Sequence, residues 1–265
     1  MNMAESKTPA KRPLVTRPRA IVIGASSGVG AALTRRLALS GYIVAAVARR
    51  QEILEELCTS INASLPAEDN QVIWPYAHDV TNFEEIPDLF QEIVQTLGGL
   101  DLIVYAAAVQ PAVGAQEFNF VKDQAMINTN LLGAIAWLNQ AAIRFERARG
   151  GQIVGISSIA GERGRVTGPV YNTSKAGLNT YLEALRNRLS RRGVTVTTIK
   201  PGFVATRLLE NASKTFWVIS PENAAKQIHT AIARRQQTVF VPKRWLIVGL
   251  IIRHIPSFIF RRLSF

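Results

Sequence analysis

Cysteine, histidine and long apolar runs are all scarce in this chain, and each shortage narrows what the protein can be. The single cysteine, Cys58, cannot form a disulfide within the chain, and we interpret it as a small buried thiol on a helix. Three scattered histidines give no group with metal-ligand spacing, so no metal site is expected. The apolar run 245–252 has eight residues, far short of the roughly twenty that a membrane-spanning helix requires.

Acidic residues are missing from most of both ends of the chain. Residues 1–20 contain five Lys or Arg against one Glu, and residues 223–265 contain eight against none, while the remainder holds eighteen of each sign. Basic surfaces can bind nucleic acid. The chain has no nucleic-acid motif, however, so we expect no such partner. Residues 1–18 are charged, proline-rich and without the apolar segment of a signal peptide, and they are predicted to be a mobile arm.

The rest of the chain has the length and pattern of one domain. Its 265 residues are 48% hydrophobic, which suffices for a substantial core. Short apolar runs alternate with helical patterns, which predicts an α/β domain over 19–241 built on one doubly wound sheet. A basic amphipathic segment, 242–265, follows this domain.

A tyrosine and a lysine four residues apart, Tyr171 and Lys175, lie on a helix predicted over 168–189. Their spacing puts both side chains on one face of that helix. A nearby ammonium stabilises a phenolate and lowers the phenol pKa from about 10, so the pair could exchange a proton with a carbonyl or alcohol oxygen. Taken alone, the pair also fits an ordinary solvated contact.

Two serines at the end of a predicted strand, 151–157, could bond to the same oxygen. Ser157 and Ser158 compete for this role, and the separation of thirteen residues from Tyr171 favours Ser158. The carboxyl edge of a parallel sheet is where open α/β folds bind their ligands.

A glycine-rich turn follows the first predicted strand, 19–23. The sequence GASSGVG at 24–30 leads into a helical pattern, and such a turn lets the backbone approach a pyrophosphate at a helix N-terminus. A plain tight turn is the alternative, and the position after the first strand favours the phosphate cradle.

The second predicted strand, 42–48, ends in Arg49 and Arg50 rather than in the acid that would bind the ribose 2′-hydroxyl of NAD. A guanidinium there can bind a 2′-phosphate, so we predict NADP(H) with Arg49 as the principal contact. The alternative is that both arginines open the next helix on the surface.

Six motifs follow in order along the chain: GASSGVG at 24–30, HDV at 78–80, NLLG at 130–133, ISS at 156–158, YNTSK at 171–175 and KPG at 200–202. Over roughly residues 18 to 240 they resemble the short-chain dehydrogenase/reductase family. The resemblance implies a single Rossmann-like domain with a mostly parallel, seven-stranded sheet flanked by helices. It also implies a catalytic tetrad of Asn130, Ser158, Tyr171 and Lys175.

The resemblance assigns a role to each member of the tetrad. The tyrosine exchanges a proton with the substrate oxygen while hydride moves to or from the nicotinamide, and the serine orients the carbonyl. The lysine holds the ribose and lowers the tyrosine pKa, and the asparagine supports a water that links the lysine to solvent. The expected cofactor-binding residues are Gly24, Ser26, Ser27, Gly28, Val29, Gly30, Arg49, Arg50, Asp79, Val80, Ala106, Ala107, Tyr171, Lys175, Pro201, Gly202, Val204 and Thr206.

One motif departs from the family pattern. Where the family has Asn-Asn-Ala-Gly after the fourth strand, this chain has YAAA at 105–108. Ala106 lacks the usual amide, and Ala108 adds a methyl beside the cofactor. We expect altered stability or cofactor affinity rather than loss of activity.

The family resemblance implies that residues 203–219 form a lid over the substrate, and in this chain that segment is apolar. Together with the C-terminal segment 242–265, this lid suggests a lipophilic carbonyl or alcohol substrate. Large apolar side chains, Trp245 and flanking basic residues suit peripheral contact with an anionic membrane. Packing on the body or across a dimer interface is the alternative for the C-terminal segment, and packing on the core is the alternative for the lid. We expect a cytoplasmic homo-oligomer with NADP(H)-dependent oxidoreductase activity; a non-catalytic NADP(H)-binding regulatory or scaffold protein is the rival hypothesis.

Overall fold

Seven parallel strands form a single sheet at the centre of the computed structural model, which describes residues 17–66, 72–114, 116–210 and 215–263. The strand order is β3-β2-β1-β4-β5-β6-β7, so the chain winds outward in both directions from β1 and β4. The strands are β1 (Arg19–Ile23), β2 (Ile43–Ala48), β3 (Ile73–Ala77), β4 (Leu102–Tyr105), β5 (Gly151–Ile156), β6 (Val194–Pro201) and β7 (Thr238–Val241). The predicted doubly wound, seven-stranded α/β fold is confirmed.

Helices cover both faces of this sheet because its strands are apolar on both sides. In β1, Ala20 and Val22 pack into one core while Ile21 and Ile23 pack into the other, and all four are fully buried. The α-helices are α1 (Gly28–Leu39), α2 (Gln51–Ala63), α3 (Ile86–Leu97), α4 (Phe120–Ile127), α5 (Gly133–Ala148), α6 (Pro169–Leu189), α7 (Pro221–Ala233), α8 (Trp245–His254) and α9 (Ser257–Phe260).

The predicted elements differ from the observed ones at their ends. Strand β2 begins at Ile43 instead of residue 42, and β5 ends at Ile156 instead of residue 157. Helix α6 begins at Pro169, because Gly168 adopts the left-handed conformation at its N-cap with φ of 65°. Cys58 lies on α2 and is buried. Residues 1–16 of the predicted N-terminal arm lie outside the described residues.

Helix α8 packs with one side against the domain and leaves the other side exposed. Trp245 is 3% exposed, whereas Ile247 is 64% exposed. The indole of Trp245 occupies the space that a side chain at residue 202 would need, since a Cβ on Gly202 would lie 2.0 Å from it. Within the described ranges, every helix is too short or too polar to cross a bilayer.

Candidate active site

A cavity of about 1430 Å³ opens at the carboxyl edge of the sheet. It brings together the glycine turn after β1, the ends of β2 to β6, the start of α6 and the inner side of α8. Every residue predicted for catalysis or cofactor binding lines it except Asn130. Parallel strands present their carboxyl ends on one side, which is why motifs distant in sequence meet here.

Tyr171 and Ser158 form the centre of the cavity wall. Tyr171 is the third residue of α6 and is 8% exposed. Ser158 follows β5, and its Oγ accepts a hydrogen bond from the backbone N of Ala160 at 3.1 Å. Burial raises the pKa of the Tyr171 phenol, and the side-chain hydrogen bond with Ser158 acts against that rise. In this state the phenol therefore holds its proton at neutral pH.

Ser157 has a different environment from its neighbour. It is buried, and its Oγ donates to the carbonyl of Lys175 at 3.1 Å. Of the two competing serines, Ser158 is thus the one that bonds to Tyr171, while Ser157 ties the end of β5 to α6.

Lys175 lies one turn after Tyr171 and is 2% exposed. Its Nζ donates to the carbonyl of Ile156 at 3.0 Å and lies 5.9 Å from the centre of the Tyr171 ring. Burial lowers the pKa of this ammonium to about 8. The expected lowering of the Tyr171 pKa by Lys175 does not appear in this structure, because burial dominates and the opposing influences come from Ser158 and Arg165.

Asn130 is fully buried in a π-helical turn, Asn128–Leu132, between α4 and α5. Its Oδ1 accepts from the backbone N of Val109 at 2.7 Å, and its Nδ2 donates to Val109 O at 3.0 Å and to Ser174 Oγ at 3.1 Å. The side chain thus joins the loop after β4 to α6. Single-turn π-helices occur frequently at functional sites.

The glycine turn brings β1 and α1 into very close contact. Gly24 has φ of 87°, and a Cβ there would lie 2.5 Å from the backbone N of Ala107. A Cβ on Gly30 would lie 2.1 Å from the carbonyl oxygen of Gly24. Helix α1 begins beside the cavity with no side-chain cap and no acid in its first turn. Its N-terminus is therefore suited to an anion.

Positive charge surrounds this turn. Arg50 Nη2 donates to Ser26 Oγ at 3.1 Å and to Ser27 Oγ at 2.9 Å, whereas Arg49 Nη1 lies 3.3 Å from Asp79 Oδ2. Burial and then the nearby Arg207 and Arg49 lower the pKa of Arg50. Three guanidinium groups therefore come together at one end of the cavity. Sequence reasoning missed Arg207, because no motif marks that position.

The carboxylate of Asp79 is held by its own loop. Its Oδ1 accepts from the backbone N and the hydroxyl of Thr81 at 3.0 and 2.8 Å. Burial acts to raise the pKa of Asp79, but the hydrogen bonds from Thr81 and Arg49 outweigh it, and the pKa is lowered.

Tyr105 belongs to the motif that departs from the family pattern, and its side chain forms a hydrogen bond to a distant backbone carbonyl. It is fully buried, and its hydroxyl donates to the carbonyl of Thr129 at 2.5 Å. Thr129 precedes Asn130, so this bond fixes the π-helical turn to the end of β4. Ala106 still donates its backbone N–H to Ile23 O at 2.8 Å.

Two polar contacts connect the Ser158 loop with later parts of the chain. Glu162 Oε1 lies 2.5 Å from Nζ of Lys200, and both side chains are largely buried. Arg163 Nη1 donates to the carbonyls of Ile252, at 3.0 Å, and Ile255, and its guanidinium lies 4.1 Å from the centre of the Phe260 ring. The sequence gives no periodic signal for either contact.

Aromatic side chains close the cavity on the side of the C-terminal segment. Trp245 stacks on Phe216 with ring centres 5.0 Å apart, and it meets Phe203 and Trp217 edge-on. The described parts of the lid (203–210 and 215–219) and of the C-terminal segment (242–263) thus pack on each other, while residues 211–214 and 264–265 lie outside the described residues.

A family model described as short chain dehydrogenase matches residues 18–216. The chain belongs to the short-chain dehydrogenase/reductase family. The resemblance of the six motifs is thereby confirmed, and the protein is an oxidoreductase of this family.

Relatives extend over most of the chain. An uncharacterized oxidoreductase of Mycobacterium tuberculosis is 30% identical over 230 residues, covering 86% of this chain and 89% of that protein. The ketoacyl reductase HetN of Nostoc is 29% identical over 235 residues, covering 86% of this chain and 79% of that protein. A solved structure of an actinorhodin polyketide ketoreductase variant with NADPH has a TM-score of 0.75 at 24% identity, covering 85% and 95% of the two chains.

Proposed function

We propose that the protein interconverts a lipophilic ketone or aldehyde and its alcohol with NADP(H), using Tyr171 as the acid and base. The observation that carries this proposal is the hydrogen-bonded pair of Tyr171 and Ser158 on the wall of a cavity that also contains the glycine turn. A proton donor and a fixed hydroxyl at one point are what a carbonyl oxygen needs as negative charge develops on it.

The residues present fit a phosphorylated dinucleotide. The uncapped N-terminus of α1 suits the pyrophosphate. The guanidinium groups of Arg49, Arg50 and Arg207 repel one another, and Arg49 pairs with Asp79. A 2′-phosphate at Arg50 and Arg207 would offset the remaining repulsion. The ketoreductase structure of similar fold named above contains NADPH, which supports this choice.

When bound, the reduced cofactor supplies a hydride to the carbonyl carbon. Ser158 donates a hydrogen bond to the carbonyl oxygen, and the Tyr171 hydroxyl gives its proton to that oxygen as the alcohol forms. The raised pKa of Tyr171 keeps that proton available at neutral pH. Lys175, whose pKa is about 8, is mostly protonated there and stabilises the phenolate that remains. Oxidation of an alcohol reverses these steps.

The apolar lining supports a lipophilic substrate. Met126, Ala160 and Tyr171 form a small buried cluster with Val109 and Val113 packed on it, next to the tetrad. On the opposite side, Val248, Ile252, Ile255 and the aromatic lid residues line the cavity. Apolar area of this kind favours a substrate with a hydrocarbon body.

Replacement of Tyr171 by Phe tests the proposal, because it keeps the ring and removes the proton. NADPH oxidation with a panel of lipophilic ketones should fall at least about a hundredfold in the variant. NADPH binding, followed by fluorescence titration, should stay close to that of the wild type. Equal rates would remove Tyr171 from the mechanism. Wild-type protein that binds NADPH tightly but turns over no carbonyl would favour the regulatory or scaffold hypothesis.

Peripheral membrane contact is the part of the proposal that concerns the C-terminal segment. The outer side of α8 exposes Leu246, Ile247, Leu250 and Ile251, and Phe258 of α9 is 58% exposed. Five basic residues accompany them without an acid: Lys243, Arg244, Arg253, Arg261 and Arg262. Exposed apolar side chains among basic ones suit an anionic lipid surface.

Vesicle flotation tests this contact. Full-length protein should float with phosphatidylglycerol-containing vesicles, and combined Ile247→Gln and Phe258→Gln changes should release most of it. Phe118→Gln, which alters a Phe that is 96% exposed on another surface, is the matched control. Wild-type protein that stays at the bottom of the gradient would contradict the proposal. Truncation after Val241 is unsuitable, since it also removes the cavity wall. The homo-oligomer and the cytoplasmic location stay predictions, the first testable by light scattering.

A further inference from the structure

Arg165 lies in the wall of the cavity, in the loop that leads from Ser158 to α6. The side chain is half-buried, and its Nε and Nη2 donate to the Oδ1 of Asn172 at 3.4 and 3.3 Å. Both distances are at the long end for hydrogen bonds. Among the ion pairs formed by described residues, none includes Arg165.

Arg163, two residues earlier, shows what a satisfied guanidinium in the same loop looks like. It donates to two backbone carbonyls and to Ser257 Oγ, and it stacks on the Phe260 ring. Its role is to hold the C-terminal segment. Arg165 has no comparable set of partners, although burial lowers the pKa of its guanidinium and so disfavours its charge. A charge removed from water is costly unless an opposite charge or strong hydrogen bonds compensate it.

The cavity that Arg165 lines also has apolar side chains in its wall. Asn172, which Arg165 contacts, directly follows Tyr171 and is buried. The cluster formed by Met126, Ala160 and Tyr171 lies on the same cavity. Helix α6 also begins beside Arg165 without a side-chain cap, so its positive end adds to the positive potential.

We infer that Arg165 binds a carboxylate of the substrate, which makes the substrate an amphipathic oxo or hydroxy acid with a hydrocarbon body. This inference rests on the proposed function for the reacting carbonyl, but the carboxylate contact itself concerns binding. The planar fork of a guanidinium fits a carboxylate with two parallel bonds. Apolar residues in the cavity wall accommodate the hydrocarbon. Arg165 is close to the tetrad because Asn172, which it contacts, directly follows Tyr171.

A competing role for Arg165 is to tune Tyr171, because its charge acts to lower the pKa of that phenol. The two roles differ in what they predict for a neutral substrate. A residue that tunes the phenol affects turnover of every substrate, and it shifts the pH profile. A residue that binds a carboxylate affects only substrates and ligands that carry one.

The experiment compares wild type, Arg165→Gln, Arg165→Lys and the control Arg188→Gln, which removes an exposed charge near the far end of α6. Calorimetry measures binding of decanoate and of methyl decanoate to the full-length protein loaded with NADPH. In parallel, turnover of a medium-chain oxo acid and of its methyl ester is measured. The calorimetric measurement tests the carboxylate contact even if the protein turns over no carbonyl. Failure of the inference can therefore be distinguished from failure of the proposed function.

We expect Arg165→Gln to weaken decanoate binding by about tenfold to a hundredfold and to raise the KM for the oxo acid by a similar factor. Binding of the ester should change by less than about twofold, Arg165→Lys should restore part of the loss, and Arg188→Gln should behave as wild type. Wild-type protein that binds the ester as tightly as the acid would overturn the inference. Equal losses for acid and ester, or a shifted pH profile with unchanged decanoate binding, would overturn it in favour of tuning.

Discussion

The two walls of the cavity are built in different ways. On the cofactor side, backbone packs on backbone, because the Gly24 and Gly30 positions leave no room for a side chain. On the opposite side, the wall is held together by contacts of side chains. Trp245 fills the space above Gly202, and Arg163 holds the carbonyls at the end of α8. The first wall is fixed by short motifs, whereas the second depends on individual long-range contacts.

This difference implies a difference in tolerance to change. Backbone groups in a tight turn cannot move without loss of the turn, so substitutions there should affect folding and cofactor binding together. Side chains and a terminal helix can rearrange, so changes in the second wall should alter that wall alone.

Gly30→Ala should have the largest effect, because the added methyl would lie 2.1 Å from the carbonyl oxygen of Gly24. We expect NADPH affinity to fall at least about a hundredfold or the protein to fail to fold, as measured by fluorescence titration and circular dichroism. Gly164→Ala is the control, since its methyl would meet open space.

Gly202→Ala makes an equally close contact in the other wall, 2.0 Å from the Trp245 indole. Here the obstacle is a side chain on a terminal helix, so α8 should move outward while the glycine turn stays intact. Trp245 should become exposed, with a red shift in tryptophan emission and faster proteolysis of the C-terminal segment. A loss of NADPH affinity as large as that of Gly30→Ala would contradict the contrast between the walls.

The arginines at the end of β2 sharpen the description of the cofactor side. Arg50→Gln should weaken NADPH binding by about tenfold to a hundredfold and NADH binding much less. Both cofactors are affected by loss of the Arg50 bonds to Ser26 and Ser27, but only NADPH also loses a partner of its 2′-phosphate. Arg49→Gln tests whether Arg49 or Arg50 is the principal contact of the 2′-phosphate. Because Arg49 already pairs with Asp79 and its side chain is 71% exposed, we expect the smaller loss of NADPH affinity for Arg49→Gln. Equal losses of NADPH and NADH affinity would contradict a role at the 2′-phosphate.

Lys175 lines the cavity, and the titration of its buried ammonium gives a pH test. Its pKa falls from 10.5 to about 8 in the folded protein. Between these values the unfolded chain holds a proton that the folded chain has lost, so the free energy of unfolding rises with pH there. Without cofactor, wild type should gain about 2 kcal/mol between pH 8 and pH 10 relative to Lys175→Met. Parallel denaturation results for the two proteins across this range would contradict burial of the ammonium.

Arg163→Gln should have the smallest effect. Loss of its bonds to the Ile252 and Ile255 carbonyls should cost about 1–2 kcal/mol, confined to the C-terminal segment. Hydrogen exchange should speed up in α8 and α9 but not in α6. Arg253→Gln, a change at an exposed position of α8, is the control.

The fold could be predicted from the sequence because its determinants are local. Strand β1 has the predicted bounds, and sequence motifs predicted the glycine turn, the tetrad and both arginines. Errors were confined to single residues at the ends of β2, β5 and α6. Periodicity determines which segments are buried, and a parallel sheet then brings their carboxyl ends together.

The second wall could not be predicted, because contacts made by long side chains between distant parts of the chain leave no periodic pattern in the sequence. Nothing near Arg163 indicates that its guanidinium extends to residues 89 and 92 positions later, and nothing near Lys200 indicates a buried pair with Glu162. Tyr105 was noted as a departure from the family pattern, yet its bond to Thr129 depends on a helix that follows later. The Tyr171 pKa was expected to fall, and burial, which only the packed structure reveals, makes it rise.

The single thiol has a practical consequence for spectroscopy. Cys58 is 2% exposed, and burial raises its pKa to about 11, so it carries almost no thiolate at neutral pH. A maleimide dye would therefore react at a cysteine introduced on the surface and leave Cys58 unmodified. One dye at position 247 of α8 and another on α4 would allow the distance between these two helices to be followed by energy transfer. Cys58 would not have to be replaced first.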